Sequence, residues 1–210
     1  MHVAALYDIH GMPWALEAVL EEVEADEIVI GGDVVDGPCV EETYELVCSL
    51  GATFVRGNAE DEDPRTSSLP LTAELDGVVY CHATPADNTL MTTAATPDEE
   101  FVRLFGDRGT FVIGHTHHQF DRRVGDLRVV NAGSIGMPYE GEVAAFWALV
   151  VDGEPQLRKT PIDVGQAVAA IRATDWAGGS DFIAENLLVA PSRDDAIAHF
   201  ERLRRESADR

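Results

Sequence analysis

The chain has 210 residues, 45% of them hydrophobic, which suits one globular domain with a sizeable core. It carries 38 acidic against 15 basic residues, a net charge of −23. That balance excludes general electrostatic binding to nucleic acid or anionic membrane, but a phosphate substrate stays open because a bound metal reverses the local sign.

In chain order, the apolar runs 2–8 (HVAALYD) and 27–33 (EIVIGGD) read as strands that end in acids. Between them Leu16, Val19, Leu20 and Val23 recur on one helical face, and Pro13 suits a first helical turn. A second helix is predicted over about residues 40–50 and a third strand over 52–58 (ATFVRGN). Strand, helix, strand, helix, strand implies right-handed crossovers and a largely parallel sheet. A strand at 77–83, a helix at 97–105 and a strand at 110–115 follow. Two hairpins come next, turning at Gly125-Asp126 and at Asp152-Gly153, so the middle of the chain reads as antiparallel. Two or three amphipathic helices close the chain beyond Gly165. Two sheets packed face to face with helices outside accommodate both halves.

The acidic runs Glu21-Glu22-Val23-Glu24 and Glu60-Asp61-Glu62-Asp63 read as solvated surface. Cys39, Cys48 and Cys81 form no CxxC pair, and the odd count argues for a reducing compartment. The N-terminus shows no basic region before its short apolar run, and no stretch approaches a membrane span, so a cytoplasmic location is expected.

Chemistry collects at strand ends. Asp8 and His10 close the first strand, Asp33 the second and Asn58 the third; His82 closes the fourth, and His115 with His117 the fifth. Ligands of an open α/β sheet bind beyond the carboxyl ends of its strands. Each piece alone is weak, but together they offer four imidazoles, two carboxylates and one amide. Seven donors exceed the needs of a single zinc, which takes about four. With Asp33 as bridge they serve two metals and leave room for a metal-bridging hydroxide. Mixed imidazole, carboxylate and amide donors suit divalent Mn, Fe, Zn, Ni or Co. Cys81 faces away from its neighbour His82, toward the core; His2 and His199 read as surface residues, and His118 as a candidate substrate contact.

The blocks YDIHG, GGDVVDG, RGNAE, YCHATP and GHTHH resemble, in order, the five motifs of the calcineurin-like metallophosphoesterase superfamily. VVNAGSIGMP (129–138) resembles the loop that follows in its small bacterial phosphodiesterase branch. The resemblance implies a four-layer α/β/β/α sandwich, with a core over 1–164 and a helical extension, 165–210, packed on the same domain. It implies that Asp8, His10, Asp33 and His117 hold one metal and that Asp33, Asn58, His82 and His115 hold the other, manganese being favoured. Asn58 and His115 would also stabilise the transition state. The implied activity is a phosphodiesterase acting on a small or nucleotide-derived substrate. A phosphomonoesterase, a dinucleoside polyphosphate hydrolase and a non-catalytic scaffold of the same fold are the alternatives.

Two positions depart from relatives. Ala59 stands where many have a histidine that protonates the leaving group, and Asp36, its partner in the protein-phosphatase branch, is expected to have lost its role. Gly37 replaces that branch's phosphate-binding arginine, leaving Arg56 as a substrate-contact candidate. Residues 85–109 are too few for a large cap, so an open cleft is expected, bordered by residues 89–97. The C-terminal helices could cover an edge, shape substrate access or form a homodimer contact.

Overall fold

The N-terminal alternation of apolar runs and helical spacing folds as β1 (His2–Leu6), α1 (Pro13–Glu22), β2 (Glu27–Ile30), α2 (Val40–Ser49) and β3 (Thr53–Phe54), in a computed structural model that describes residues 1–208. β1 pairs with β2, and β2 with β3, in parallel. β3 is shorter than the apolar run predicts. Val55 still bonds Ile30, but the Arg56 N–H turns to the Pro70 carbonyl at 2.8 Å and leads the chain out of the sheet.

The second sheet takes β4 (Thr72–Leu75), β5 (Val78–Cys81), β6 (Arg108–Ile113), β7 (Phe120–Val124) and β8 (Asp126–Asn131), with α3 (Asp98–Phe105) between β5 and β6. Its order is β4-β5-β6-β8-β7. β4 is absent from the sequence reading, although its signal is present. Asp76 and Gly77 both take left-handed backbone (φ 53° and 73°), the Asp-Gly hairpin turn. Nor is the middle of the chain simply antiparallel: β5–β6 and β6–β8 pair in parallel, and only the outer strands β4 and β7 run the other way. The last hairpin, β9 (Ala144–Val151) and β10 (Glu154–Pro161), returns to the first sheet, where β9 lies antiparallel beside β1. That sheet is ordered β10-β9-β1-β2-β3.

Residue alternation along β1 explains the layering. Val3, Ala5 and Tyr7 face the second sheet and meet Val78, Tyr80, Val112 and Ala132. Ala4 and Leu6 face the other way, onto Leu16 and Val19 of α1. Both faces of β1 are therefore covered, as its unbroken apolar run requires. The outer face of the second sheet, with Cys81, Phe111 and Val129, is covered by Phe101 and Phe105 of α3. The result is a four-layer α/β/β/α sandwich. After β10 come α4 (Val164–Arg172), α5 (Gly179–Phe182), a π-helical turn (Ile183–Leu187) and α6 (Arg193–Ala208). Ala167, Ile171, Phe182 and Leu187 join the core under the first sheet. No helix among the described residues is long and apolar enough to cross a membrane.

α6 is fastened through Glu201, which is 5% exposed. Its Oε1 accepts hydrogen bonds from the hydroxyls of Thr93 (2.8 Å) and Thr96 (2.6 Å), and Oε2 pairs with Arg204 at 2.7 Å. Burial opposes its charge, but Arg204 and the two hydroxyls prevail and hold the carboxyl down at about 2. A folded-state value below the unfolded one means the stabilisation is complete above the unfolded value near 4.5 and is lost as pH falls toward about 2. Glu201→Gln is therefore expected to lower Tm by about 2–4 °C at pH 7. The gap should narrow below roughly pH 4.5 and close near pH 2; thermal melts across that range check it, and a gap independent of pH contradicts the ion-pair account.

Candidate metal centre

The strand ends deliver all seven donors to one edge of the sandwich. Asp8 and His10 follow β1, Asp33 follows β2, Asn58 follows β3, His82 follows β5, and His115 and His117 follow β6. Among the described residues, seven other than glycine have positive φ; five of them are Asp8, His10, Asp33, His115 and His117, and the other two sit in the hairpin turns at Asp76 and Asp152. Left-handed backbone is costly for most side chains but is enriched in Asp and His, and such strain collects where a fold must aim a functional group.

The donors fall into two groups, Asp8 with His10 and His117, and Asp33 with His82 and His115. In the first, the Nε2 atoms of His10 and His117 face each other at 3.1 Å, and Asp8 Oδ1 lies 3.3 Å from His117 Nε2. In the second, Asp33 Oδ2 lies 3.4 Å from His82 Nε2, and Asn58 Oδ1 lies 3.1 Å from the same nitrogen. The groups adjoin. Asp33 Oδ2 is also 3.9 Å from His10 Nε2, which gives it the bridging position.

Each carboxylate is held by one oxygen. Asp8 Oδ2 accepts the His115 N–H at 2.9 Å, and Asp33 Oδ1 accepts the Ala59 N–H at 2.8 Å. Two glycines make room for them: a Cβ at Gly114 would lie 2.4 Å from Asp8 Oδ2, and one at Gly57 would lie 2.3 Å from Asp33 Oδ1. The remaining oxygens face the imidazoles. Asp8 Oδ1 is buried with no hydrogen-bond partner, which is costly unless a cation meets it. The histidines are oriented from behind. His82 Nδ1 bonds the Gly31 carbonyl and His117 Nδ1 the Met137 carbonyl, both at 2.9 Å, leaving Nε2 free on each. His115 Nε2 bonds the Thr89 carbonyl at 3.1 Å, leaving Nδ1 free. Outward hydrogen bonds of this kind fix the tautomer that ligates a metal. An orphaned carboxylate oxygen among converging imidazole nitrogens fits divalent transition metals.

Charge in the site is balanced tightly. Burial works against the charge on Asp8 and Asp33, yet the neighbouring imidazoles keep both carboxyls below the usual range. Burial works against a charged His82 as well, but Asp33 and Asp8 raise it to about 10. Burial and the neighbouring His82 push His115 down to about 4. Against burial, Asp36, Asp33 and Asp8 likewise raise His10, so the carboxylates favour positive charge on both the His82 and His10 rings, and a bound metal would take over that role.

Two substrate-contact candidates are not placed for that role. His118 is fully buried; its Nδ1 bonds the Thr116 carbonyl and its Nε2 accepts the Ala94 N–H at 3.3 Å, so it ties β6 to the 94 loop. Arg56 is committed to the Ser67 carbonyl and to Asp61 at 3.2 Å. Asp36 has a use after all: its Oδ2 lies 3.5 Å from His10 Nδ1, behind the ligating edge of that ring. Cys81 is buried in the core, and His2 and His199 are exposed. Residues 89–97 do border the site, through Thr89 and through the Thr92 carbonyl, which accepts the Thr116 hydroxyl.

Glu60 is the functional residue that sequence reasoning misses. Within an acidic run read as surface it is 1% exposed. Its carboxylate accepts the N–H groups of Asp33 and Val34, both at 2.7 Å, and of Gly57 at 2.8 Å, clamping the β2 and β3 loops together. Nothing local separates it from its exposed neighbours Asp61 and Glu62; only the fold does.

Residues 1–154 match the family model of the calcineurin-like phosphoesterase superfamily domain. Among solved structures, a metallophosphoesterase from Sphaerobacter thermophilus is similar at TM-score 0.75 and 21% identity, over 90% of this chain and 100% of that one. A hypothetical protein from Pyrococcus horikoshii OT3 is similar at TM-score 0.72 and 17% identity, over 87% and 97%. Yfce, a phosphoesterase from E. coli, is similar at TM-score 0.52 and 23% identity, over 78% and 100%. Comparison with curated proteins finds no significant match.

Glu60→Gln replaces one accepting oxygen by a donor and leaves buried N–H groups unpaired. The expected cost is about 1–3 kcal/mol of stability and roughly a 10–100-fold loss of metal affinity. Denaturant unfolding and calorimetric metal titration read the two effects separately; unchanged metal affinity contradicts the clamp.

Proposed function

The chain belongs to the calcineurin-like phosphoesterase superfamily, and we propose that it is a dimetal-dependent phosphodiesterase acting on a small or nucleotide-derived phosphodiester. One observation carries the reading: two adjoining donor groups with Asp33 Oδ2 between them and Asp8 Oδ1 unpaired. In this reading Asp8, His10, Asp33 and His117 hold one metal, and Asp33, Asn58, His82 and His115 the other. Two divalent metals, manganese favoured, supply Lewis acidity toward the phosphate and a nucleophile drawn from water near neutral pH.

The chain's own residues set the geometry. With Asn58 Oδ1 on the His82 side, its amide N–H groups are left to donate to a phosphate oxygen. His115, partly exposed beside it, is the second group placed to meet charge on that oxygen. Preference for a diester follows from what is missing. A monoester dianion needs more positive charge than a diester, and Arg56 is engaged elsewhere while position 37 carries no side chain. All three cysteines are free thiols, which supports a place in the reducing cytoplasm.

Ala59 has no proton to give, and its N–H is used by Asp33. A general acid contributes about 10²–10⁴-fold, so good leaving groups are favoured. With manganese, bis(4-nitrophenyl) phosphate should turn over at least about 100-fold faster than an alkyl phosphate monoester. The activity should vanish on chelation and return with metal. Equal turnover of the two substrates removes the diester reading, and no turnover in metal-loaded protein favours the scaffold.

A second expectation concerns the vacant position itself. Ala59→His should raise turnover of alkyl esters by about 100-fold and leave nitrophenyl esters nearly unchanged. Steady-state rates across a series of leaving groups check this; a uniform change for all of them argues that proton donation does not limit the wild-type enzyme.

A further inference from the structure

The family match ends at residue 154, yet α6, beyond it, packs against Tyr139, which lies against the candidate ligand His117. The contact runs through rings. Tyr139 lies against His117 with centroids 5.0 Å apart and planes inclined by 30°, and its N–H bonds the His117 carbonyl at 3.0 Å. Phe200 of α6 follows at 6.1 Å and 31° from Tyr139, with His199 edge-on to it at 5.5 Å. A cavity of about 480 Å³ opens here, lined mainly by Tyr139, Pro191, Ser192, Asp195, Ala196 and Phe200.

The wall is fixed in place. Arg193, at the start of α6, donates to the Gln119 carbonyl at 2.6 Å and pairs with Glu140 at 3.5 Å. The Pro191 carbonyl accepts the Gly141 N–H at 2.8 Å. Further along the helix, Glu201 binds Thr93 and Thr96. The cavity is thus preformed, one ring away from a candidate metal ligand.

Its chemistry selects the occupant. Two aromatic rings inclined by 31° and an alanine favour a flat aromatic group against them. Asp195 makes no ion pair among the described residues and is exposed at the cavity; its charge disfavours a second phosphate there and accepts N–H donors. We propose that this cavity is the subsite for a nucleobase of the phosphodiester. The proposal rests on the phosphodiesterase reading for the position of the phosphate at the donor groups. α6 then decides which diesters this chain accepts, with Phe200 and Tyr139 as stacking residues.

The test uses nucleosides, which carry no phosphate, so that binding is read apart from catalysis. Nucleosides titrated into the zinc-loaded full chain should give saturable NMR shifts at Tyr139 and Ala196, and ribose should give none. Stacking on an aromatic side chain is sequence-tolerant, and Phe200→Ala should weaken binding about tenfold. Ser192→Trp, an exposed position that fills the cavity, should do the same without touching the core; matching thermal melts confirm that both variants fold. In kinetics, both variants should raise KM for thymidine 5′-(4-nitrophenyl phosphate) about tenfold with kcat little changed. Equal nucleoside binding by wild type and both variants, or shifts produced equally by ribose, overturns the proposal. So does an absence of nucleoside binding in protein that hydrolyses bis(4-nitrophenyl) phosphate, and that result leaves the phosphodiesterase reading standing. Nucleoside binding that Phe200→Ala weakens, without any metal-dependent diester turnover, upholds the cavity and removes the phosphodiesterase reading instead.

Discussion

Two buried carboxylates, each tied to the backbone through one oxygen, are the constraint around which the molecule is arranged. Asp8 and Asp33 are at most 3% exposed. Unpaired charge at such depth costs far more than a surface ion pair returns. The fold accepts it because the imidazoles of His10, His82 and His117 converge on the two free oxygens. Fixing one oxygen to the His115 or Ala59 N–H removes the freedom of each carboxylate to swing toward solvent. Preorganisation of this kind puts the energetic burden on folding rather than on ligand binding.

The burden is visible in the loops. Left-handed backbone at Asp8, His10, Asp33, His115 and His117 costs of the order of 1 kcal/mol at each residue. Those conformations persist because loops from different strands hold one another. The Asp8 N–H bonds the Gly32 carbonyl, the His10 N–H bonds the Asp33 carbonyl, and the Gly114 N–H bonds the His82 carbonyl. Glu60 and Ser134 add side-chain ties to the same frame, the latter through the Asp8 carbonyl at 2.8 Å. Chains far apart in sequence are therefore rigid where the donors emerge, and the sheets behind them supply the stability.

The donors were legible in the sequence because they follow short apolar runs, with His10, Asp33, Asn58 and His115 each beside a glycine. Strand ends of a mostly parallel sheet meet at one edge, so no knowledge of side-chain packing was required to gather Asp8, Asp33, Asn58 and the histidines. The two sheets were legible because the pattern changes from strand-helix alternation to hairpins along the chain, and the four-layer order came with the family resemblance. What stayed hidden depended on burial that no local pattern announces. Glu60 lies in an acidic run yet closes the site from behind, and His118 lies beside a donor pair yet points into the protein. β4 was missed although its Asp-Gly turn was in plain view, because the strand that turn ends is half polar and sits at a sheet edge. The place of α6 beside Tyr139 was beyond reach, since its aromatic residues resemble those of any amphipathic helix.

Gly37 locks the loop behind the metal centre by contact alone. Its φ is +110°, and a Cβ there would lie 1.9 Å from the His10 carbonyl oxygen. A side chain at this position requires the segment that follows β2 to move away from the β1 loop. Any larger residue there would have to displace the turn through Asp36 and, with it, the carboxylate that stands behind His10.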